Sequence, residues 1–248
     1  MTMPNTWALM FFRHKDLFEA KSYGESWLSI GTLNYEVTPD VKERLGFAGS
    51  CNSLFKKLGY TQYKQLDINV QADIALDLNK PIKDHHGEFD LIYNGGSVEH
   101  IINPVQGCIN LLKMAKLGGR IVHSQGVGDQ MGHGYWTFTP EFLKDFYTAN
   151  ECKLRGIFLM DVHGNEYPVE RQKNGMVGLL GYIPNKIRRR IGIHIHIVKN
   201  SFNLSYDPMI TNYSLIAVFE KLKEVKSISM PIQGQYTGDS VLDAAATL

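Results

Sequence analysis

The chain has 248 residues, with 26 Lys and Arg against 25 Asp and Glu, for a formal net charge of +1. That balance leaves no global field to recruit DNA, RNA or an anionic membrane as the main partner. With 44% hydrophobic and 21% charged residues it is globular rather than disordered, and long enough to fold without disulfides or metal. Cys51, Cys108 and Cys152 are odd in number, widely spaced and free of any CxxC pair, which argues against a disulfide framework and a zinc ribbon. The apolar patch Trp7–Phe12 has no basic region before it and no small-residue cleavage site after it, so it does not read as a signal peptide. No run is long enough to span a bilayer. A cytoplasmic location is the expectation.

Short apolar runs alternate with amphipathic stretches along the chain. Ser26–Ile30 predicts a strand that ends at Gly31. Thr38–Pro39–Asp40 predicts the N-cap, N1 and N2 of a helix that Gly46 stops, and a small helix is expected near Ser53–Leu58. Tyr63–Ile68 predicts a second strand and Glu88–Asn94 a third. Asn103–Pro104 opens a helix with Val105, Ile109, Leu112 and Ala115 near helical spacing, and Gly118–Gly119 is expected to close it. Arg120–Gln125 predicts the fourth strand. Thr139–Pro140–Glu141 opens another helix that ends near Asn150, and Lys153–Val162 and Tyr213–Leu222 predict the fifth and sixth strands. A cap residue, then Pro, then an apolar face, then Gly or Asn is a helix signature with a mechanism at each position. Continuous apolar runs suit strands buried on both faces. The alternation predicts an α/β fold with a doubly wound, mostly parallel sheet in one domain, 1–248. From His163 to Asp207 the pattern breaks, which marks an insertion or lid (163–207) before the last strand.

In an open parallel sheet, ligands bind beyond the C-terminal ends of the strands. The residues just after each strand therefore carry the candidates. Gly31 permits a tight turn, and the next helix is expected to point its N-terminus at a ligand. Asp67 ends the second strand, where an acid accepts hydrogen bonds from ribose hydroxyls. Asp77 precedes the turn Leu78–Asn79–Lys80–Pro81. Asn94–Ile101 is Gly-rich and carries Glu99 and His100. The loop after the fourth strand carries Asp129, His133, Tyr135 and Trp136.

The segment FDLIYNGGSVEHIINPVQGCINLLKMAKLGGRIVHS, Phe89–Ser124, resembles the central segment of the class I S-adenosylmethionine-dependent methyltransferases. That family runs from an acidic-hydrophobic strand through small residues, a Glu-His turn, Pro and a helix to Leu-x-Gly-Gly and a hydrophobic strand. His133–Cys152 resembles the stretch before the family's sixth strand, and Tyr213–Leu222 its antiparallel seventh. The resemblance implies a Rossmann-like, seven-stranded sheet with an antiparallel last strand, and S-adenosylmethionine as cofactor. It implies that Gly31 is the first glycine of the cofactor loop and Asp67 the ribose ligand. It implies that Asp77 contacts the adenine amino group, that Leu78 packs on the ring, and that Asn94 and Gly95 line the methionine half. The family's Gly-x-Gly-x-Gly loop is reduced here to Gly31-Thr32-Leu33-Asn34-Tyr35.

Methyl transfer to a hydroxyl needs in-line geometry and a base titrating near the operating pH. His133 is the first candidate base, with His100 and His123 behind it. Tyr135 is placed beside the acceptor as a second catalytic candidate, and Trp136 as a wall. Their blander readings are equally concrete. Glu99–His100 reads as a turn and helix-capping pair, His123 as a satisfied histidine inside an apolar strand, and His133 as a turn residue between glycines. His194 and His196 share a strand face at period two, but no third ligand is evident, and no metal site is expected. Lys186–Arg190 reads as a solvated face, or, folded over the site, as a preference for an anionic acceptor such as a phosphorylated or nucleotide-linked sugar. The leading reading is O-methylation of a small polar acceptor, with no nucleic acid or membrane partner and room for a homodimer. A non-catalytic binding protein on the same scaffold is the alternative that the reduced loop favours. An NAD(P)-dependent oxidoreductase ranks last: Tyr182 and Lys186 match its Tyr-x-x-x-Lys pair, but Pro184 between them opposes the helix it needs.

Overall fold

A computed structural model describes residues 2–3, 5–35, 37–46, 50–127, 133–171, 202–204 and 213–231. The chain opens with β1 (Thr2–Met3), α1 (Asn5–Arg13) and α2 (Lys15–Phe18). β2 (Ser26–Ile30), β3 (Asn34–Tyr35), α3 (Pro39–Leu45) and α4 (Cys51–Lys57) follow. Then come β4 (Gln62–Asp67), β5 (Ile74–Ala75), β6 (Phe89–Asn94), a 3₁₀ turn (Val98–His100), α5 (Pro104–Met114) and β7 (Ala115–Gly126). α6 (Pro140–Ala149), β8 (Cys152–Met160), β9 (Glu166–Arg171), β10 (Phe202–Leu204) and β11 (Ser214–Lys221) complete the described elements.

The main sheet runs β10-β9-β8-β11-β7-β6-β2-β4-β5. The five strands from β5 to β7 pair in parallel. β11 is antiparallel to both β7 and β8, between which it lies. These seven strands form the doubly wound, Rossmann-like sheet that the sequence implies, with its antiparallel strand where Tyr213–Leu222 predicted it. The sheet is wider than expected. Glu166–Arg171 and Phe202–Leu204, from the stretch read as an insertion, add β9 and β10 as two antiparallel strands beyond β8. Lys186–Arg190, Tyr182, His194, His196 and Asp129 lie outside the described residues.

Side-chain alternation along the strands builds two cores, one on each face. Leu28, Ile92, Ile121, Leu215 and Phe219 pack against Cys108, Leu111 and Leu112 of α5 and Leu143, Phe146 and Tyr147 of α6. Trp27, Leu91, Tyr93, Val122, Ile216 and Val218 point the other way, onto Phe11 of α1 and Leu54 and Phe55 of α4. Trp27 stacks on Phe55 with ring centroids 3.9 Å apart. The apolar patch Trp7–Phe12 lies within α1, which covers one face of the sheet.

The helix starts read from cap and Pro hold: Thr38, Asn103 and Thr139 each precede a Pro-led helix. Asn103 Oδ1 accepts from Gln106 N–H, and Thr139 Oγ1 from Phe142 N–H. Gly46, with φ +66, ends α3. One expected end moves. Gly118–Gly119 does not close α5, which stops at Met114, and the chain enters β7 directly. These glycines instead serve an irregularity in β7 beside the register shift against β6: a Cβ on Gly119 would sit 2.9 Å from Lys116 O and 3.0 Å from Phe89 O. Among the described residues no helix is long and apolar enough to cross a membrane.

Candidate functional site

The parallel strands bring their C-terminal ends, and the loops that follow, to one edge of the sheet. β2 gives way to Gly31, whose N–H donates to Leu66 O at 2.7 Å. Gly31 has φ +80, and a Cβ there would collide with Ser97 Oγ. Ser97 Oγ in turn donates to Ile30 O at 2.9 Å, so the loops after β2 and β6 are tied together. The loop after Gly31 runs into β3, and α3 starts only at Pro39. That start is where Thr38–Pro39–Asp40 places it, with β3 lying between the glycine and the helix.

Asp67, the last residue of β4, holds this loop. Its Oδ2 accepts from Thr32 N–H at 3.0 Å and from Thr32 Oγ1 at 3.2 Å, and its Oδ1 accepts from Asn69 N–H at 3.1 Å. Partial burial pushes the carboxyl pKa up, but these hydrogen bonds outweigh it, and the net position is below the ordinary value. Asp77 is held low by the Asn79 side chain and backbone, with Lys80 Nζ 3.4 Å away. Leu78 is buried and packs in the core with Leu66, Ile74 and Ile82. Its carbonyl accepts from Asn110 Nδ2 of α5.

Asn94, at the end of β6, is fully buried and organises the next loop. Its Oδ1 accepts from Ser97 N–H at 3.0 Å and Val98 N–H at 3.2 Å. That orients Nδ2, which only donates, toward His123 Nδ1 at 3.1 Å. His123 Nδ1 is thereby the acceptor, and Nε2–H donates to Tyr147 Oη at 2.7 Å. Gly95 is buried beside this network. His123 is thus the satisfied structural histidine of the blander reading, and burial pushes its pKa down to about 3 from an ordinary 6.5.

That shift has a testable sign. The unfolded chain takes up a proton near pH 6.5 that the folded protein refuses until about pH 3. Stability contributed by neutral His123 is present above pH 6.5 and is lost as pH falls. Between pH 7 and pH 5 the loss is about 2 kcal/mol. Urea unfolding of wild type and His123→Gln at both pH values isolates it, since Gln does not titrate; equal acid losses in the two proteins would remove the assignment.

Glu99 and His100 occupy the 3₁₀ turn after β6. They do not cap α5, which Asn103 caps. Glu99 is 3% exposed, and its Oε2 accepts from Gln125 Nε2 of β7 at 2.9 Å. Its backbone carbonyl accepts from Tyr135 N–H at 2.9 Å and Trp136 N–H at 3.3 Å, and Trp136 Nε1–H donates to Ile101 O at 3.0 Å. Gly134 presses so close that a Cβ would meet Glu99 O at 2.9 Å. These contacts carry His133 onto His100, with ring centroids 5.1 Å apart at 67°. Tyr135 and Trp136, 68% and 48% exposed, flank the pair.

Most of the predicted residues thus fall into two groups, while Asp77 and Leu78, after β5, are held instead by Asn79 and by Asn110 and the core. Gly31 and Asp67 share one loop system, Asn94 and Gly95 are joined to it through Ser97, and His100, His133, Tyr135 and Trp136 gather around Glu99. Sequence reasoning missed Thr32, Ser97 and Gln125. Gln125 had a signal: it closes the polar run His123-Ser124-Gln125 that follows the apolar Ile121–Val122. Ser97 had none. A cavity of about 490 Å³ between α5, α6 and Met230–Pro231 is lined by none of these residues.

No protein-family model matches the chain, and no curated protein does. Solved structures are similar in shape. The YcgJ protein of Bacillus subtilis matches over 88% of this chain and 99% of its own, at 10% identity and a TM-score of 0.48. A SAM-dependent methyltransferase from Archaeoglobus fulgidus matches over 85% and 92%, at 13% identity and 0.44. A Burkholderia thailandensis 1,6-didemethyltoxoflavin-N1-methyltransferase, solved with S-adenosylhomocysteine, matches over 87% and 76%, at 10% identity and 0.44. Likeness this remote leaves activity and acceptor to be argued from the residues of the site.

Proposed function

We propose that this chain binds S-adenosylmethionine and directs its methyl group to a hydroxyl of a small polar acceptor, a sugar or a phosphorylated or nucleotide-linked metabolite. When bound, the cofactor supplies an electrophilic methyl on a sulfonium. Orientation, exclusion of water and handling of the acceptor's proton fall to the chain. The observation that carries the reading is Asp67. Hydrogen bonds from Thr32 N–H, Thr32 Oγ1 and Asn69 N–H, with Ile68 N–H beside them, fix this carboxylate at the end of β4, the strand-end position where a ribose hydroxyl would donate to it. Its lowered pKa keeps the carboxylate ionised as an acceptor. Gly31 lets the loops after β2 and β6 approach closely enough for Ser97 Oγ to reach Ile30 O.

The acceptor is assigned to the other group. His133 assists removal of its proton, and Tyr135 and Trp136 offer exposed aromatic faces of the kind that sugar rings pack on. The binding-module reading rests on the single glycine of the loop, and one experiment separates the two. Calorimetric titration with S-adenosylhomocysteine, with NAD and NADP as controls, is expected to give micromolar binding to the thioether nucleoside alone. Asp67→Ala is expected to weaken that binding by about 1–3 kcal/mol, a 5- to 150-fold change. Unchanged affinity would remove Asp67 from the site. No binding by folded, ligand-free wild type would overturn the methyltransferase reading.

A further inference from the structure

We propose that Glu99, His100 and His133 form a binding site for a first-row divalent transition-metal ion. One carboxylate oxygen and one nitrogen from each ring lie within 4.8 Å of one another. Metal–ligand bonds near 2.1 Å place the ligand atoms of a tetrahedral site about 3.3 Å apart. His100 and His133 are exposed, and rotation of their side chains would close the remaining distance.

The buried carboxylate supplies an independent observation. Glu99 is 3% exposed, and only one of its oxygens is satisfied. Oε1 has no hydrogen-bond partner among the described residues, and Glu99 is a member of the same cluster. A buried carboxylate oxygen left bare is costly, and a bound cation would relieve that cost. Gln125 Nε2–H holds the other oxygen and so fixes the direction of the carboxylate, as outer partners of metal ligands commonly do. The contacts that place His133 are built in as well: the Glu99 carbonyl anchors Tyr135 and Trp136, and Gly134 allows the close approach.

The donor set names the class of ion. Two imidazoles and one carboxylate suit Zn²⁺, Fe²⁺, Co²⁺ or Mn²⁺, whereas Mg²⁺ and Ca²⁺ prefer oxygen alone. Three protein ligands leave at least one coordination position open. On the methyl-transfer reading, which this role rests on, that position takes the acceptor hydroxyl. The ion lowers the hydroxyl pKa, the proton passes to solvent, and His133 assists as a ligand rather than by taking the proton itself.

The test uses the full chain, stripped with EDTA and dialysed. Titration with Co²⁺ is expected to give visible absorption saturating at one equivalent, and calorimetry with Zn²⁺ the same stoichiometry. His100→Ala and His133→Ala, both at exposed positions, should each weaken binding by more than about 100-fold, and Gln125→Leu by about 10- to 100-fold. The double variant His194→Ala and His196→Ala should bind as wild type does. No saturable binding, or binding that survives both His100→Ala and His133→Ala, would overturn the site. The two readings fail separately. Metal binding without S-adenosylhomocysteine binding sinks methyl transfer and keeps the ion. Cofactor binding with full activity in EDTA sinks the ion and keeps methyl transfer.

Discussion

Replacing His133 with alanine is expected to lower turnover by about 10²- to 10⁴-fold while S-adenosylhomocysteine affinity stays unchanged. The split follows from the layout of the site. His133 touches the Glu99–His100 turn, whereas Asp67 and Gly31 hold a separate loop system after β2 and β4. On the proposed reading, loss of the imidazole removes a group assigned to handling the acceptor's proton and leaves the Thr32–Asp67 and Gly31–Leu66 hydrogen bonds intact. Turnover would be followed on an acceptor taken from a screen that starts with anionic sugars, with affinity measured by calorimetry on the same samples. Full activity in His133→Ala would exclude the residue from proton handling. A parallel fall in cofactor affinity would mean that the two groups are not independent, and the assignment of separate roles would fail.

The second large effect lies at Asn94. Asn94→Ala is expected to lower the free energy of unfolding by about 3 kcal/mol. The side chain satisfies three buried groups at once: the N–H groups of Ser97 and Val98, and Nδ1 of His123. Removing it strands all three, and each stranded group costs about 1–3 kcal/mol, less what entering water returns. Asn94→Asp is the informative companion. Its carboxylate keeps both acceptor positions for the loop but faces His123 with a charge, so it should recover part of the stability and raise the His123 pKa. Chemical denaturation reads the first effect, and NMR titration of the histidine ring signals reads the second. An Asn94→Ala protein as stable as wild type would show that the loop after β6 is held by something else.

Much of the fold could be read before the structure, for physical reasons. Strands buried on both faces are continuous apolar runs, and β2, β6 and β11 lie within about a residue of where those runs place them. α3, α5 and α6 each begin with a cap residue and Pro, a signal local enough to need no tertiary context. α1 has no such opening, and its apolar patch becomes intelligible only once Phe11 is seen against Trp27 and Tyr93. β9 carries Glu166, Glu170 and Arg171 and gains its regularity from pairing with β8, which composition does not display.

The site divides in the same way. Gly31, Asp67 and Asn94 sit at strand ends, and strand ends were legible. The convergence of His100 and His133 was not. They are 33 positions apart and meet because the Glu99 carbonyl accepts from Tyr135 and Trp136, a tertiary contact with no spacing rule. The sequence instead drew attention to His194 and His196, whose period of two is a pattern, while ligands contributed by loops after different strands make none.

The place of β11 bears on how the molecule is made. Ser214–Lys221 lies between β7 and β8, and it alone joins them. On the ribosome, β7 and β8 therefore emerge long before the strand that bridges them. Until it arrives, β7 presents an open edge, and open edges invite pairing with other nascent chains. A product cut short anywhere before Ser214 would keep that edge permanently, and would leave β8 and β9 without the strand that joins them to the rest of the sheet. The sheet cannot close until Ser214–Lys221 has been made, so the open edge of β7 persists through the synthesis of everything between them.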